Sequence, residues 1–238
     1  MSESTTDLTS VAQDYLKVIW TAQEWSADPV TTKLVADRMG VGASTVSETV
    51  RRLGSQGLVE HARYGSIELT PEGRRHALAM VRRHRLIETF LVETLGYGWD
   101  EVHDEAEVLE HAVSDGLVAR IDALLGHPER DPHGDPIPRV DGTVPRPGAV
   151  SLAELAAGDH GRVARISDAD PDVLRYLDEL GIRLDTELRV VGRRTYAGVL
   201  EVTLPETGPS AAPPILQLGL PAAEAIWVLP VERADAER

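Results

Sequence analysis

A chain of 238 residues, 42% of them hydrophobic, is long enough to bury one large core or two or three small ones. The absence of cysteine excludes disulfides and thiolate metal sites, so carboxylate and imidazole groups must hold any metal ion. The formal net charge of −15 argues against nucleic-acid binding, but residues 44–85 hold eight arginines and only four acids, so an acidic protein carries one basic segment.

The N-terminus has no signal-peptide pattern, and no segment approaches 18 consecutive apolar residues. We therefore expect a cytoplasmic protein that neither spans nor is anchored in a membrane.

Residues 1–70 have the pattern of a winged helix-turn-helix DNA-binding domain. Apolar residues recur at helical spacing over 8–20, and a short second helix over 33–39 precedes a third over 44–56. Two short strands around a glycine-bearing turn follow within 57–69 and predict a β-hairpin, the wing.

Residues 71–126 are predicted to form a helical metal-binding and dimerisation domain. Pro71 stands at the first position of a long helix that runs to about Leu95, and another helix begins near Trp99. Ser114 can cap a third helix, which ends at Gly126. These helices lack a large core of their own, so we expect them to pack on the winged helix and on a second copy of the chain.

The C-terminal part combines a proline-rich segment with short strands. Residues 127–147 hold six prolines and two glycines, a composition that predicts an extended linker. Four short strands and one helix are predicted between residues 148 and 231, which indicates a small β-barrel. Residues 232–238 form an acidic tail.

The helix predicted after Trp99 carries four potential metal ligands within about 100° of arc. They are His103, Glu107, Glu110 and His111. A divalent cation neutralises such a face and gives it a fixed geometry, although an acidic helix with two histidines is also typical of a solvated surface. On the preceding helix His84 and Glu88 stand one turn apart, a spacing that suits chelation of one ion.

The order of these features is informative: a winged helix-turn-helix, the HDEAEVLEH run, the proline-rich segment and a β-barrel. In this order, over essentially the whole chain, the protein resembles the diphtheria-toxin-repressor family of metal-dependent transcriptional regulators, and within it the manganese-transport-regulator branch. The resemblance implies a mainly α fold with a small β part: a winged helix-turn-helix, a helical dimerisation domain and a C-terminal SH3-like (FeoA-type) β-barrel. It also implies a repressor, not an enzyme, that binds double-stranded operator DNA as a homodimer and controls manganese uptake genes.

The resemblance further implies two metal sites. The primary site is expected to contain Asp14, Glu107, Glu110 and His111. The ancillary site is expected to contain His84, Glu88 and His103, with a further ligand from the barrel, either Asp168 or Asp170.

The primary site favours Mn²⁺, with Fe²⁺ second, because Asp14 and Glu107 stand where the iron-sensing type has sulfur ligands. Co²⁺, Zn²⁺ or Cd²⁺ can substitute in vitro. A bacillary form pairs two ions through a Glu one turn after the Asp; Lys17 stands at that position, which argues against a binuclear site. Metal is expected to close the first helix onto the helix of Glu107, because without it the acidic side chains repel one another.

The DNA-binding surface is predicted on the third helix and the wing. Base edges are expected to face Ser44, Thr45 and Glu48, phosphates to face Ser47, Thr49, Arg51 and Arg52, and the wing to contribute Arg63 and Tyr64. The iron-sensing type has Gln where Glu48 stands, so a different operator sequence is expected.

Four alternatives remain open. The chain could be an iron-dependent repressor of the same family, or a metal-dependent hydrolase, against which the absence of an HExxH motif argues. It could also be a winged-helix regulator that senses a small organic ligand. Finally, the barrel could recruit a protein partner and not supply a metal ligand.

Overall fold

A computed structural model describes residues 8–61, 65–205 and 214–231. The chain forms two compact units. The first comprises Met1–Ile87, Glu107–His127 and Ile137–Val144, and the second comprises Glu88–Ala106, Pro128–Pro136 and Pro145–Arg238.

The first unit begins with the predicted winged helix-turn-helix, which is confirmed. Its elements are α1 (Ser10–Thr21), α2 (Thr32–Met39), α3 (Ala43–Ser55), β1 (Val59–His61) and β2 (Ile67–Leu69). The hydroxyl of Thr31 caps α2 by accepting from the Leu34 amide, and α2 ends at Gly40, whose φ of 64° suits a residue without a side chain. Strand β1 pairs antiparallel with β2, which forms the base of the wing.

The core of this domain consists mainly of aliphatic side chains, with two buried aromatic side chains from α1. Leu16 and Ile19 of α1, Leu53 of α3 and Ile67 of β2 are fully buried. Burial of each such side chain contributes roughly 1.5–3 kcal/mol to folding. The core holds α3 against α1 and the wing, so it determines which face of α3 points outward.

Three further helices follow: α4 (Pro71–Leu95), α5 (Val102–Glu110) and α6 (Asp115–Leu124). A Cβ at Gly73 would lie 1.9 Å from the Leu58 carbonyl oxygen, so only glycine lets α4 start this close to the preceding segment. A buried ion pair between Arg85 and Glu24, with the guanidinium over the Trp20 ring, ties α4 to the end of α1. Among the described residues, no helix is both long and apolar enough to cross a membrane.

The second unit is built around a six-stranded antiparallel sheet of order β3-β8-β4-β5-β6-β7. The strands are β3 (Val150–Ser151), β4 (His160–Ile166), β5 (Glu187–Arg194), β6 (Val199–Thr203), β7 (Ile215–Gly219) and β8 (Ile226–Pro230). Two helices accompany them, α7 (Pro171–Glu179) and α8 (Leu220–Glu224). Strands β3 and β7 and helix α8 were not predicted; β3 has two residues, and α8 has five, too few to show a helical period.

The proline-rich segment differs from the extended linker predicted from its composition. Residues 128–136 belong to the second unit and residues 137–144 to the first. Asp131, His133 and Asp135 are each at most 4% exposed. The Asp131 carboxylate accepts hydrogen bonds from the amides of His133 and Asp135 and closes a tight turn, which allows polar residues of this segment to be buried. We call residues 131–135 the docked turn.

Candidate functional site

Acidic, imidazole and ammonium groups meet in the first unit, in what we call the primary cluster. It contains Asp14, Lys17, His84, Glu107, Glu110 and His111. Ligand atoms of Asp14, Glu110 and His111 lie within 4.8 Å of one another, as do those of His84, Glu107 and Glu110. Helix α1 thus brings Asp14 next to the candidate ligands of α5 and of the residue after it.

Glu110 is the centre of the primary cluster and is 0% exposed. One carboxylate oxygen lies 2.6 Å from Lys17 Nζ and the other 2.6 Å from His84 Nδ1. Burial opposes ionisation, but the hydrogen bonds and charges of His84 and Lys17 lower the pKa of Glu110 below its usual value. His84, which the resemblance assigned to the ancillary site, therefore contacts the primary cluster.

Lys17 is a chain-borne cation inside the primary cluster. Its Nζ lies 2.6 Å from an oxygen of Glu107 and 2.6 Å from one of Glu110, and its side chain is only 9% exposed. Burial alone would lower the pKa of Lys17, but the charges of Glu110 and Glu107 raise it. The repulsion that we expected between the acidic side chains is therefore offset by the chain itself, and α1 is held at α5 by an ion pair.

His111 is oriented by a side chain that sequence reasoning missed. Its Nδ1 lies 3.0 Å from Oε1 of the Gln13 side chain, so Nδ1–H can donate, and Nε2 faces Asp14 at 2.8 Å. A histidine that ligates a metal commonly donates its other N–H to such an acceptor. Burial raises the pKa of Asp14, although the charges of His111 and Lys17 oppose the shift.

A second cluster lies in the second unit and contains three of the predicted residues. His103 Nδ1 lies 3.3 Å from Glu88 Oε1 and 3.3 Å from Asp168 Oδ2. Partial burial opposes protonation, but the hydrogen bonds to Asp168 and Glu88 raise the pKa of His103 to about 10. Burial would raise the pKa of Asp168, yet the hydrogen bond from His103 holds it well below its usual value.

Two further members of the second cluster come from the docked turn and were not predicted. Glu88, Asp131 and His133 are all buried, and their ligand atoms lie within 4.8 Å of one another. His133 Nε2 lies 2.7 Å from the Trp99 carbonyl oxygen, so it is the donor, while Nδ1 is buried without a hydrogen-bond partner. An imidazole in this tautomer presents a lone pair at Nδ1, the form that a metal ion needs.

The two candidates for the barrel ligand behave differently. Asp168 joins the second cluster through His103. Asp170 is exposed, and its carboxylate caps α7 by accepting from the Asp172 amide at 2.9 Å. An Asp directly before Pro171 fits the helix-cap position, a local signal that could have separated the two residues.

The outer face of α3 carries most of the predicted DNA-binding residues. Exposed side chains are those of Ser44, Thr45, Ser47, Glu48, Arg51 and Arg52. Thr49 differs: it is only 7% exposed and lies on the inner stripe with Val46 and Leu53, so it is not placed for a phosphate. Arg63 and Tyr64 lie outside the described residues.

Comparison with known proteins identifies the same succession of domains along the chain. Models of the iron dependent repressor family match residues 7–67, as the N-terminal DNA binding domain, and residues 70–139, as the metal binding and dimerisation domain. A FeoA domain model matches residues 150–230. The chain is 34% identical over 211 residues to the iron-dependent repressor IdeR of Mycobacterium tuberculosis, covering 84% of this chain and 90% of that protein. It is 32% identical over 198 residues to the diphtheria toxin repressor of Corynebacterium diphtheriae, covering 79% and 87%.

Solved structures of manganese-dependent repressors have the same fold. A manganese-dependent transcriptional repressor in complex with manganese is 63% identical, with a TM-score of 0.86, covering 92% of this chain and 100% of that one. The apo form of the manganese-activated repressor ScaR is 32% identical, with a TM-score of 0.77 and the same coverage. The chain therefore belongs to the iron-dependent repressor family, that of the diphtheria toxin repressor, and is a metal-dependent, DNA-binding transcriptional repressor, not an enzyme.

Proposed function

We propose that the protein is an Mn²⁺-activated repressor that binds operator DNA as a homodimer and controls manganese uptake genes in the cytoplasm. One observation carries this proposal: carboxylates of α1 and α5 meet at one imidazole, with Asp14, Glu110 and His111 offering ligand atoms within 4.8 Å. A set of ligands dominated by oxygen, with no sulfur, favours Mn²⁺ over softer ions. The relatives whose names include manganese support the same choice.

The ion adds divalent charge and directional bonds to this arrangement. Lys17 already neutralises part of the acidic charge, so the chain holds α1 near α5 through this ammonium and through the contacts of Gln13 and Asp14 with His111. An ion bound by both Asp14 and His111 would replace these contacts with stronger, directional bonds and fix the angle of α1. Because α1 packs on α3 through the shared core, this angle sets the distance between two recognition helices, which must match about one turn of DNA.

A gel shift on candidate operator DNA with Mn²⁺, Fe²⁺, Zn²⁺ or EDTA tests the proposal. We expect wild-type protein to bind with Mn²⁺ and to lose binding in EDTA, and Glu107→Ala to bind weakly at the same Mn²⁺ concentration. Glu105→Ala on the same helix is the matched control and should behave as wild type. Tight operator binding by metal-free wild-type protein would disprove the proposed activation.

The homodimer is supported by apolar side chains on α5 and α6 that the single chain leaves exposed. Val108 is 71% exposed, Leu117 45% and Leu124 66%. Exposed apolar residues on neighbouring helices are typical of a protein–protein interface. We expect Leu124→Glu to shift the protein from dimer to monomer in analytical ultracentrifugation, and an unchanged dimer would exclude this face.

Glu48 is proposed to read the operator, because it is exposed near the start of α3. A carboxylate there prefers the N4 amino donor of cytosine, whereas an amide prefers adenine. Selection of preferred DNA sites should therefore yield different sequences for wild type and for Glu48→Gln. At the base pair that residue 48 contacts, we expect each protein to favour its preferred base by about 1 kcal/mol or more. Identical preferences would rule out base contact by Glu48.

Iron is the second candidate activator, since the IdeR relatives, which are 34% identical to this chain, are named iron-dependent repressors. The same gel shift, done under anaerobic conditions, distinguishes activation by Mn²⁺ from activation by Fe²⁺. If Fe²⁺ activates at a lower free concentration than Mn²⁺, the protein is an iron regulator with the same DNA-binding mechanism.

A further inference from the structure

We propose that Arg165 is a positioning residue of the second cluster, which anchors the docked turn on β4 and thereby places Asp131 and His133 opposite Glu88. The inference rests on the proposed function, with the second cluster as the ancillary metal site that the family resemblance implies, and it assigns a role to the C-terminal sheet. The sheet supplies Asp168, and it also supports the segment that carries two other ligands.

The docked turn has a rigid internal structure. The Asp131 carboxylate accepts from the amides of His133 and Asp135 at 2.9 Å each, and the Asp131 amide donates to the Asp135 carbonyl at 3.0 Å. Gly134 has a φ of 90°, a backbone angle that residues with a side chain rarely adopt. The backbone positions of Asp131 and His133 are therefore coupled, and the turn moves as one piece.

Backbone contacts seat this turn on β4. The Ile166 amide donates to the His133 carbonyl at 2.8 Å. A Cβ at Gly134 would lie 2.1 Å from the Ala164 carbonyl oxygen, so the turn approaches the strand more closely than any side chain permits. The contact is specific in register, because it involves consecutive residues of the turn and of the strand.

Arg165 adds a charged anchor beside these contacts. Its Nε lies 2.6 Å from Asp135 Oδ1, and its guanidinium lies 4.4 Å from the centroid of the Trp227 ring. Arg165 is 8% exposed and Asp135 4% exposed, so both charges are shielded from water and removal of either leaves a buried charge without this partner. Trp227 belongs to β8, next to β4 in the sheet, and it fixes the plane of the guanidinium.

The opposite side of the turn is held by Trp99. His133 Nε2 contacts the Trp99 carbonyl oxygen, and the two rings stack with centroids 6.1 Å apart and planes 20° apart. Trp99 thus holds the His133 ring at its Nε2 edge and on one face, while Nδ1 stays buried without a hydrogen-bond partner. Displacement of the turn from β4 would move this nitrogen away from Glu88.

The test compares full-length wild type with Arg165→Met, Asp135→Asn and Gly134→Ala, using Mn²⁺ titration calorimetry. We expect each variant to bind Mn²⁺ at the second cluster at least about tenfold more weakly, the usual effect of losing a group that orients a ligand, with the primary cluster unchanged. Arg165→Lys, which keeps the charge but not the planar fork, should recover part of the affinity. Arg194→Met is the matched control, because Arg194 pairs with Glu201 elsewhere on the same sheet.

Hydrogen exchange of metal-free protein gives a second readout. The Ile166 amide, which donates to the docked turn, should exchange about tenfold faster in Asp135→Asn, while amides of β5 and β6 stay protected. This variant leaves the sheet residues intact, so it tests the anchor even where Arg165→Met fails to fold. Unchanged affinity and exchange in Asp135→Asn would overturn the positioning role. Wild-type protein that binds no ion at the second cluster would overturn the metal site itself, whatever the variants do.

Discussion

The two clusters use similar ligands but balance their negative charge in different ways. In the primary cluster a permanent cation, Lys17, contacts two carboxylates. In the second cluster the neighbouring cation is an imidazolium, since His103 contacts Glu88 and Asp168. The sequence has one other lysine, Lys33 on α2. In the metal-free protein His103 also keeps its charge in the physiological range, because its pKa is raised to about 10. An imidazolium must lose its proton before it can bind a metal ion, so protons should compete with metal mainly at the second cluster.

The clusters also differ in how they are built. The primary cluster is assembled from helical side chains at regular spacing, whereas the second depends on a turn and on the end of a strand. Mutations in the primary cluster should therefore act locally, through charge. Mutations in the second cluster should act through the position of the backbone.

The largest expected effect is that of Glu110→Gln. Glu110 is fully buried between Lys17 and His84, so loss of its charge removes the buried carboxylate that contacts both side chains and leaves Lys17 paired with Glu107. We expect the free energy of unfolding in EDTA to fall by about 3 kcal/mol, in the range for a broken buried ion pair. Asp168→Asn should cost less, because His103 is partly exposed.

Chemical denaturation of both variants, with Glu105→Gln as the control on α5, measures this difference. Equal losses for Glu110→Gln and Asp168→Asn would contradict the contrast between a buried and a partly exposed pair.

Lys17→Met tests whether the chain-borne cation stabilises the metal-free primary cluster. We expect a loss of about 2 kcal/mol in EDTA, less than for Glu110 because Glu107 can turn to solvent. With saturating Mn²⁺ the deficit should shrink, since the ion then supplies the positive charge. Thermal melts with and without Mn²⁺ measure both values, and Lys33→Met should change neither; a deficit that Mn²⁺ leaves untouched would exclude the proposed exchange of cations.

Gln13→Leu sharpens the comparison of how the two imidazoles are oriented. His111 is oriented by a side chain, Gln13, whereas His133 is oriented by the backbone carbonyl of Trp99. The variant should weaken Mn²⁺ binding at the primary cluster about tenfold and leave the second cluster unchanged. Titration calorimetry measures the Mn²⁺ affinity of each cluster, and Gln23→Leu, a change at an exposed position, is the control. Equal losses of affinity at both clusters would point to a general loss of structure.

The smallest expected effect is the pH dependence of the metal-free second cluster. The pKa of His103 is raised from 6.5 to about 10. Because the folded protein holds this proton more tightly, the stabilisation is fully present below about pH 6.5 and is lost as the pH rises through about 10. An NMR titration of the His103 ring measures the midpoint, and Asp168→Asn should lower it. If the ring of His103 in wild type titrated with a midpoint near the ordinary histidine pKa, the result would contradict the ion pair with Asp168 and Glu88.

Regular helical patterns made much of the primary cluster predictable. Pro71 and Leu95 bound α4 as expected, and the arc of α5 residues identified Glu107 and Glu110. Lys17 was recognised only as a departure from a two-ion pattern. Its contacts with α5 depend on the packing of two helices that are 90 residues apart in the chain, which spacing within one helix does not reveal.

The docked turn shows why the second cluster was harder to predict. Six prolines predicted an extended linker, yet Asp131 and Gly134 make a compact turn that buries His133. Thr49 was misjudged for a related reason: small polar residues occur on both faces of a recognition helix, and only the position of the core shows that this one faces inward.

The sequence by itself determined most of the elements, the helical face that bears the candidate ligands, and the family, because all three depend on local periodicity and on the order of motifs along the chain. Tertiary structure alone decided that Lys17 sits among the carboxylates, that Asp168 joins a cluster while Asp170 caps a helix, and that the docked turn contributes Asp131 and His133. The physical reason is that a metal cluster depends on distances between groups remote in the chain, and these distances follow from packing and buried ion pairs, which leave no periodic trace in the sequence.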